Sequence, residues 1–164
     1  MSADAYRMLS FGGTDSLGVI LDELWRFALD SRTWTKLVPS AGISALTQVV
    51  AAYDPSRDRM LVFNTRGGVT TSNQMWELPL AEPLAWHLLS STGYPPYGRY
   101  GPAMDYDPGR DRMLVPGGAS ILAGTIAYDD LWEFSFGGTG WKQLQPAWIN
   151  PGGAYRTGAV FDPA

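Results

Sequence analysis

The apolar positions of this chain fall into short runs that are separated by turn-forming residues. The run "TQVVAAYDP", residues 47–55, ends at Asp-Pro, where the proline ring fixes the backbone and the aspartate can accept hydrogen bonds within its own turn. The run "RDRMLVF", residues 57–63, follows at once and predicts a β-hairpin, and "NQMWELPL" and "LAWHLLS" predict a third and a fourth strand. No segment of useful length has the period of a helix. The pattern therefore predicts an all-β chain.

The same landmarks recur along the chain. Arg-Met-Leu begins at Arg7, Arg59 and Arg112, so its copies lie 52 and 53 residues apart. A tryptophan with Asp or Asn three residues before it and a second tryptophan nine or ten residues after it also recurs, as does an aromatic residue followed by Asp-Pro. These are the pairs Trp25 and Trp34, Trp76 and Trp86, and Trp132 and Trp141, and the triplets that begin at Tyr53, Tyr106 and Phe161. Matched spacing of three landmarks indicates a repeat fold.

The second strand of the unit ends in a special backbone position. Two copies have Gly-Gly there, at Gly12-Gly13 and Gly117-Gly118, whereas the middle copy has Asn64-Thr65. Because Asn is the non-glycine residue that best tolerates a positive φ, we expect Asn64 to keep the backbone conformation of the glycines.

The repeated charges and tryptophans are interpreted as structural. Arg57-Asp58-Arg59 and Arg110-Asp111-Arg112 are expected to form a solvated turn and edge, since a charge pattern copied between repeats has a scaffold explanation that a single active site lacks. Trp25, Trp76 and Trp132 are expected to pack between neighbouring repeats.

These motifs resemble those of kelch-type β-propeller repeats, including the kelch-like propeller of galactose oxidase. The resemblance implies four-stranded blades with Gly-Gly after the second strand and spaced aromatic residues near the third and fourth. On this basis residues 1–164 form a single kelch-like repeat region. It contains strands two to four of a first blade (5–38), a second blade (45–91), a third blade (99–146), and strand one of a split blade (153–164).

The resemblance also leads to an expectation about assembly. Three blades cannot close a ring, because propellers typically have about four to eight blades. Since the chain starts in strand two of one blade and stops in strand one of another, we expect a homodimer that closes a six-bladed propeller by exchanging strands. A fragment of a longer propeller is the alternative.

Composition excludes several classes of function. The chain has no cysteine, so disulfides and thiolate chemistry are absent. Its net charge of −4 and the lack of basic runs argue against nucleic acid, and no apolar window resembles a signal peptide or a membrane span. The native compartment stays open.

Candidate catalytic and metal-binding groups are few. His87 is the only histidine and is expected to be partly exposed on a strand, so a zinc or copper site of the usual type cannot be built within one chain. The acidic pairs Asp22-Glu23 and Asp129-Asp130 could hold calcium or act as acid and base, but their repeated place before tryptophan favours a structural role. We therefore predict no catalytic residue, no metal and no cofactor.

The non-repeating loops remain as the candidate site. In a four-stranded blade, the connections from strand two to three and from strand four to the next blade emerge on one face, which we call the loop face. Its candidate ligand-binding residues are Arg66, Tyr94, Tyr97, Arg99, Tyr100, Trp148, Tyr155 and Arg156, an aromatic and arginine mixture typical of binding hot spots. The interpretation that these tyrosines and the neighbouring prolines only stiffen the loops is equally open.

The loops favour a non-enzymatic scaffold that binds a protein segment or a glycan. The alternative is a hydrolase or lyase acting on carbohydrate, with carboxylates on the loop face or in the central channel.

Overall fold

A computed structural model describes residues 6–43, 49–65, 73–120, 126–138, 140–145 and 152–162 of the chain. These residues contain strands and no helix, so no helix there could span a membrane. The strands are β1 (Arg7–Phe11), β2 (Leu24–Ala28), β3 (Thr33–Leu37), β4 (Val49–Asp54), β5 (Arg59–Thr65), β6 (Asn73–Pro79), β7 (His87–Leu88), β8 (Asp105–Asp107), β9 (Arg112–Pro116), β10 (Ala119–Ser120), β11 (Ile126–Ala127), β12 (Leu131–Ser135) and β13 (Gly140–Leu144).

The strands form one antiparallel sheet for each repeat period. Blade 1 has three strands in the order β1-β2-β3, and blade 2 has four in the order β4-β5-β6-β7. Blade 3 also has four strands, in the order β8-β9-β12-β13, and a small hairpin, β10-β11, is inserted between its second and third strands. The predicted all-β class of four-stranded blades is confirmed.

The hairpin at the start of each complete blade is built by its aspartates. Asp54 Oδ1 accepts a hydrogen bond from Ser56 N (2.9 Å), and Asp107 Oδ1 accepts one from Arg110 N (3.1 Å). The turn then passes through a residue with positive φ, Asp58 at 44° or Asp111 at 50°. Asp is among the few non-glycine residues that tolerate this conformation, which explains why both turns contain Asp at that position.

Two apolar cores lie between successive blades. Phe63 of β5 packs on Trp141 of β13, and Phe11 of β1 packs on Trp86, with 4.8 Å between ring centroids in both pairs. Each of these contacts joins the second tryptophan of one blade to the preceding blade. The first tryptophans are only partly buried. Trp76 and Trp132 pack against these cores, and Trp25 is half-buried as well.

One local expectation about the strands is not met, and another stays a prediction. Asn64 has no positive φ, because β5 continues through Thr65 and pairs with β4 and β6 on its two sides. Ladder hydrogen bonds on both sides favour extended backbone there.

Residues 152–162 form no strand in the single chain, and the strand predicted over 153–164, which needs a second copy as its partner, stays a prediction. Its contacts with blade 3 are made by single groups instead of a ladder. Ala154 hydrogen-bonds the backbone of Gly118 and Tyr128, and Phe161 N donates to the side chain of Asp105 (2.5 Å) rather than to the backbone of β8.

The interpretation of the repeated charges as a solvated turn and edge holds for the turn but not for the edge. Arg57, Asp58 and Arg110 are exposed, whereas Arg59 and its aspartate partner are buried. Asp54 is fully buried and Arg59 is 5% exposed. Arg59 Nε donates to Asp54 Oδ2 (2.8 Å), and its Nη1 donates to Glu77. The hairpin sits inside the blade stack, where each buried charge has to be paired.

Blade 3 repeats this Asp-Arg-Glu arrangement. Arg112 Nε donates to Asp107 Oδ2 (2.9 Å), and its Nη1 donates to Glu133. The blades are also joined, because the two terminal nitrogens of Arg57 donate to the two carboxylate oxygens of Asp111 at 2.7 and 2.6 Å. The copied charges therefore connect strands within a blade and one blade to the next.

The network changes the acidity of its carboxylates. Burial by itself would raise the pKa of Asp54, but hydrogen bonds from Ser56, Arg59 and Arg57 outweigh it and lower the pKa from 3.8 to about 2. The pKa of Asp107 is also lowered, since its hydrogen bonds from Arg112 and Arg110 outweigh burial.

We predict acid sensitivity from these values. A group with a depressed pKa stabilises the fold above its unfolded pKa, and the stabilisation is lost as the pH falls through the folded value. For Asp54 that window runs from about pH 4 to pH 2, and the depression corresponds to about 2 kcal/mol. Urea unfolding of wild type and Asp54→Asn across this range should give a shallower acid decline in the variant. Parallel declines would contradict the assignment.

Candidate functional site

Four of the predicted loop-face residues come together beside Gly117-Gly118. Tyr100 exchanges backbone hydrogen bonds with Ala119 of β10, with N to O distances of 2.9 and 3.0 Å. Arg156 N donates to Gly101 O (2.6 Å), which brings the segment before the C-terminus against the loop before β8. Arg99, Tyr100, Tyr155 and Arg156 therefore lie in one region of the loop face.

Arg99 lies underneath this region and is fully buried. Its terminal nitrogens donate to the two carboxylate oxygens of Asp130 at 2.6 and 2.8 Å, and Nη1 also donates to Gly117 O (2.6 Å). Its Nε donates to Tyr97 O (3.0 Å), and the Tyr128 ring centroid lies 4.5 Å from the guanidinium carbon. Arg99 therefore ties the loop to blade 3 and has no surface for a direct ligand contact.

The Gly-Gly pair is required here by close packing as well as by backbone conformation. A Cβ on Gly118, which has φ of 96°, would lie 3.1 to 3.2 Å from the aliphatic carbons of Arg99. A Cβ on Gly117 would lie 2.5 Å from Ala154 O. Because the two glycines have no side chain, Arg99 can pack against Gly118 and the 152–156 segment can pack against Gly117.

A small pocket opens among these residues, and we call it the loop-face pocket. Its volume is about 220 Å³, and it is lined by Val49, Val50, Tyr100, Gly101 and Arg156. Since Val49 begins β4 and Gly101 precedes β8, the pocket lies where the innermost strands of blades 2 and 3 start.

Arg156 is the exposed charge of the pocket. Its guanidinium forms none of the salt bridges found among the described residues, and the guanidinium carbon is 5.9 Å from the Tyr155 ring centroid. Tyr155 in turn meets Tyr100 edge to face at 5.2 Å. Arg156 also has φ of 57°, a costly conformation for such a residue that is often found at binding sites. The pocket thus combines a cation with an aromatic wall.

The remaining predicted residues flank the pocket or cannot be placed. Tyr94 and Tyr97 lie on the loop between β7 and β8 and are 90% and 78% exposed. Two hydrogen bonds fix the backbone of that loop. Pro96 O accepts one from Asn73 Nδ2, and Tyr97 O accepts one from Arg99. Arg66 and Trp148 lie outside the described residues.

The acidic pairs have structural contacts, which agree with the structural interpretation of these residues. Glu23 accepts a hydrogen bond from the indole of Trp25 (2.9 Å) and binds Lys36, and Asp130 accepts one from the indole of Trp132 (2.7 Å). The accepting residue stands two positions before each tryptophan, a rule that sequence analysis missed because it compared the residue three positions before. His87 is exposed on β7. Within the described ranges, no group of three potential metal ligands is found.

The chain was compared with known proteins. A family model for the KLHDC2/KLHL20/DRC7 Kelch-repeats domain matches residues 1–162. The chain belongs to the kelch-repeat family. Kelch propellers generally serve as interaction scaffolds, and the predicted kelch-type family is confirmed.

A solved structure supports the same fold. The structure of YjhT, a kelch-type propeller, superposes with a TM-score of 0.65 at 15% sequence identity, covering 91% of this kelch-repeat chain and 51% of that chain. This kelch-repeat chain therefore spans about half the length of YjhT. No curated protein sequence matches it.

Proposed function

We propose that this kelch-repeat chain is a non-enzymatic interaction scaffold whose loop face binds an extended protein segment. The observation that carries the proposal is Arg156, an exposed guanidinium with no carboxylate partner among the described residues, beside Tyr100 and Tyr155. Arginine and tyrosine are enriched at binding hot spots, where a rigid aromatic residue gives contact area at low entropic cost.

The size and charge of the pocket suggest what part of a partner enters it. Its volume of about 220 Å³ is below the range of roughly 300 to 1,000 Å³ typical of small-molecule sites. It is therefore suited to one side chain rather than a whole ligand. Because the charged lining residue is Arg156, a carboxylate side chain complements it, and the exposed Tyr94 and Tyr97 extend the contact along the segment.

A hydrolase is less well supported at this position. Glycoside hydrolysis generally uses two carboxylates that face the scissile bond. The described lining of the loop-face pocket contains no carboxylate, and the nearby Asp130 is already paired with Arg99. A glycan that binds without turnover is the second ligand class to test.

Peptides selected from a random displayed library against the wild-type chain should be enriched in Asp and Glu. Their affinity, measured by calorimetry, should fall about 30-fold in Arg156→Ala, the loss expected of a hot-spot arginine. Arg156→Lys should retain part of the affinity because it keeps the charge but not the planar fork.

The matched control is Arg110→Ala, since Arg110 is 67% exposed and lies on a short turn away from the loop face. Its affinity should stay within about twofold of wild type. Equal losses in the two alanine variants would reject the site. A glycan array and a turnover assay on the same protein distinguish the alternative ligand and the hydrolase.

A further inference from the structure

A second concave surface lies between blades 1 and 2, beside the unpaired edge of β1. This β1 cleft has a volume of about 780 Å³, and blade 1 and blade 2 both contribute to it. Its walls include Tyr6, Arg7 and Leu9 from the first blade and Ala52, Tyr53 and Met60 from the second.

The cleft coincides with an unpaired strand edge. In the complete blades, the strand equivalent to β1 has two neighbours, since β5 pairs with β4 and β6, and β9 pairs with β8 and β12. Among the described residues, β1 pairs with β2 alone. Exposed backbone donors and acceptors along such an edge favour the addition of another strand.

The charge at this edge is also arranged differently from that of the other blades. Arg59 and Arg112, the equivalents of Arg7, each bind a fully buried aspartate of their own first strand. Arg7 binds the half-exposed Asp58 of the next blade at 3.2 Å instead. A strand that completes blade 1 therefore needs to bring a carboxylate to Arg7.

The face of blade 1 that carries Trp34 is also exposed. Trp86 and Trp141 are 4% and 3% exposed because each packs on the preceding blade, whereas their equivalent, Trp34, is 50% exposed. By the same geometry, Trp34 would contact the end of strand two in a preceding blade. In blade 3 that position is Pro116.

A segment of the chain itself has the sequence that the cleft requires. Residues 158–162 read "GAVFD", and Phe161-Asp162 corresponds to Tyr53-Asp54 and to Tyr106-Asp107 in the first strands of blades 2 and 3. The segment forms no strand in the single chain, where Val160 is 90% exposed and Phe161 N donates to Asp105 Oδ2 (2.5 Å). Asp162 also has a contact there, so pairing with another strand has to replace these contacts.

We propose that the β1 cleft binds residues 158–162 of a second copy of this chain, which complete blade 1 as its innermost strand. The register of the complete blades places Asp162 opposite Arg7, Phe161 opposite Met8 and Val160 opposite Leu9. Reciprocal exchange covers both β1 clefts and places Trp34 of one copy beside blade 3 of the other.

Light scattering on the full chain at micromolar concentration should give about twice 17.9 kDa. A monomer or a trimer would overturn the proposal. The variants Arg7→Asp and Asp162→Arg should each yield monomers, and the double variant, which restores the opposite charges between copies, should dimerise again.

Glu82→Arg is the control, because Glu82 is exposed on the turn between β6 and β7 of blade 2, away from both proposed contacts, and it should stay dimeric. The proposed register rests on an ion pair between Arg7 and Asp162 of the two copies. It would be overturned if both single variants stayed dimeric or if the double variant stayed monomeric.

A crosslink tests the register directly, since the chain has no native cysteine. Oxidation of the Leu9→Cys, Val160→Cys double variant should give a disulfide-linked dimer, whereas Met8→Cys with Val160→Cys should not, because a one-residue slip turns a side chain to the other face. A crosslinked dimer from Leu9→Cys alone would show β1 pairing with β1. A disulfide within one chain, recognised by the monomer mass, would show that residues 158–162 pair with β1 of their own chain. Either result would contradict the exchange.

Discussion

Replacing Arg59 by methionine is expected to lower the free energy of unfolding by about 3 kcal/mol, at the lower end of the range for breaking a buried ion pair. Methionine keeps much of the apolar stem but leaves the fully buried Asp54 without its closest guanidinium and Glu77 without its partner. Arg57 still reaches Asp54 at 3.0 Å, which is why the expected loss is not larger. Urea unfolding at a fixed protein concentration measures the effect.

Two further variants separate a charge effect from a packing effect. Arg110→Met changes an arginine that is 67% exposed, and it should cost less than about 0.5 kcal/mol. Adding Asp54→Asn to Arg59→Met should recover part of the loss, because the uncompensated buried charge is removed. A cost below about 1 kcal/mol for Arg59→Met would mean that the buried pair does not stabilise the blade.

Replacing Phe63 by alanine is expected to cost about 3 to 5 kcal/mol, the range for a large aromatic residue removed from a core. Phe63 is fully buried and joins blade 2 to Trp141 of blade 3, so its loss leaves a cavity between blades as well as within one. For a chain of this size, the melting temperature should fall by about 10 °C.

The control for this variant is Tyr94→Ala, since Tyr94 is 90% exposed, and its melting temperature should stay within about 2 °C of wild type. Phe63→Leu should lie between the two. If Phe63→Ala unfolds like the Tyr94 control, blades 2 and 3 are not held together by this contact.

The sequence was sufficient for the repeat and its strands because both depend on local pattern. Asp-Pro at Asp54 and Asp107 ends one strand within a turn, and the Arg-Met-Leu that follows starts the next. Turn-forming residues and the alternation of apolar residues act over a few positions, so they can be recognised from the sequence alone.

The partners of the charges could not be predicted in the same way. Arg57 is exposed on a turn, as expected, but its carboxylate partner Asp111 is 54 residues away in the next blade. Arg99 looks like an exposed loop residue, yet a glycine at position 118 allows it to reach Asp130 beneath the surface. Both ion pairs depend on how the blades and loops pack against one another. The spacing of residues within one repeat gives no information about that packing.

The candidate site was predicted only in part for the same reason. Tyr94 and Tyr97 are exposed, as expected of unique aromatic residues in a long loop. The convergence of Arg156 with Tyr100 required the 152–156 segment to fold back along blade 3, through hydrogen bonds between Ala154 and the backbone of Gly118 and Tyr128. No feature of the sequence signals that contact.

The most direct test of the proposed function is a map of backbone amide shifts when a selected acidic peptide is titrated into the labelled chain. The account predicts the largest changes at Tyr97, Gly101 and Arg156, around the loop-face pocket, with little change at the Arg57 and Arg110 turns. It also predicts that Arg156→Ala removes these changes while Arg110→Ala keeps them. Changes centred on those turns, or a pattern unaffected by Arg156→Ala, would contradict the loop face as the binding surface.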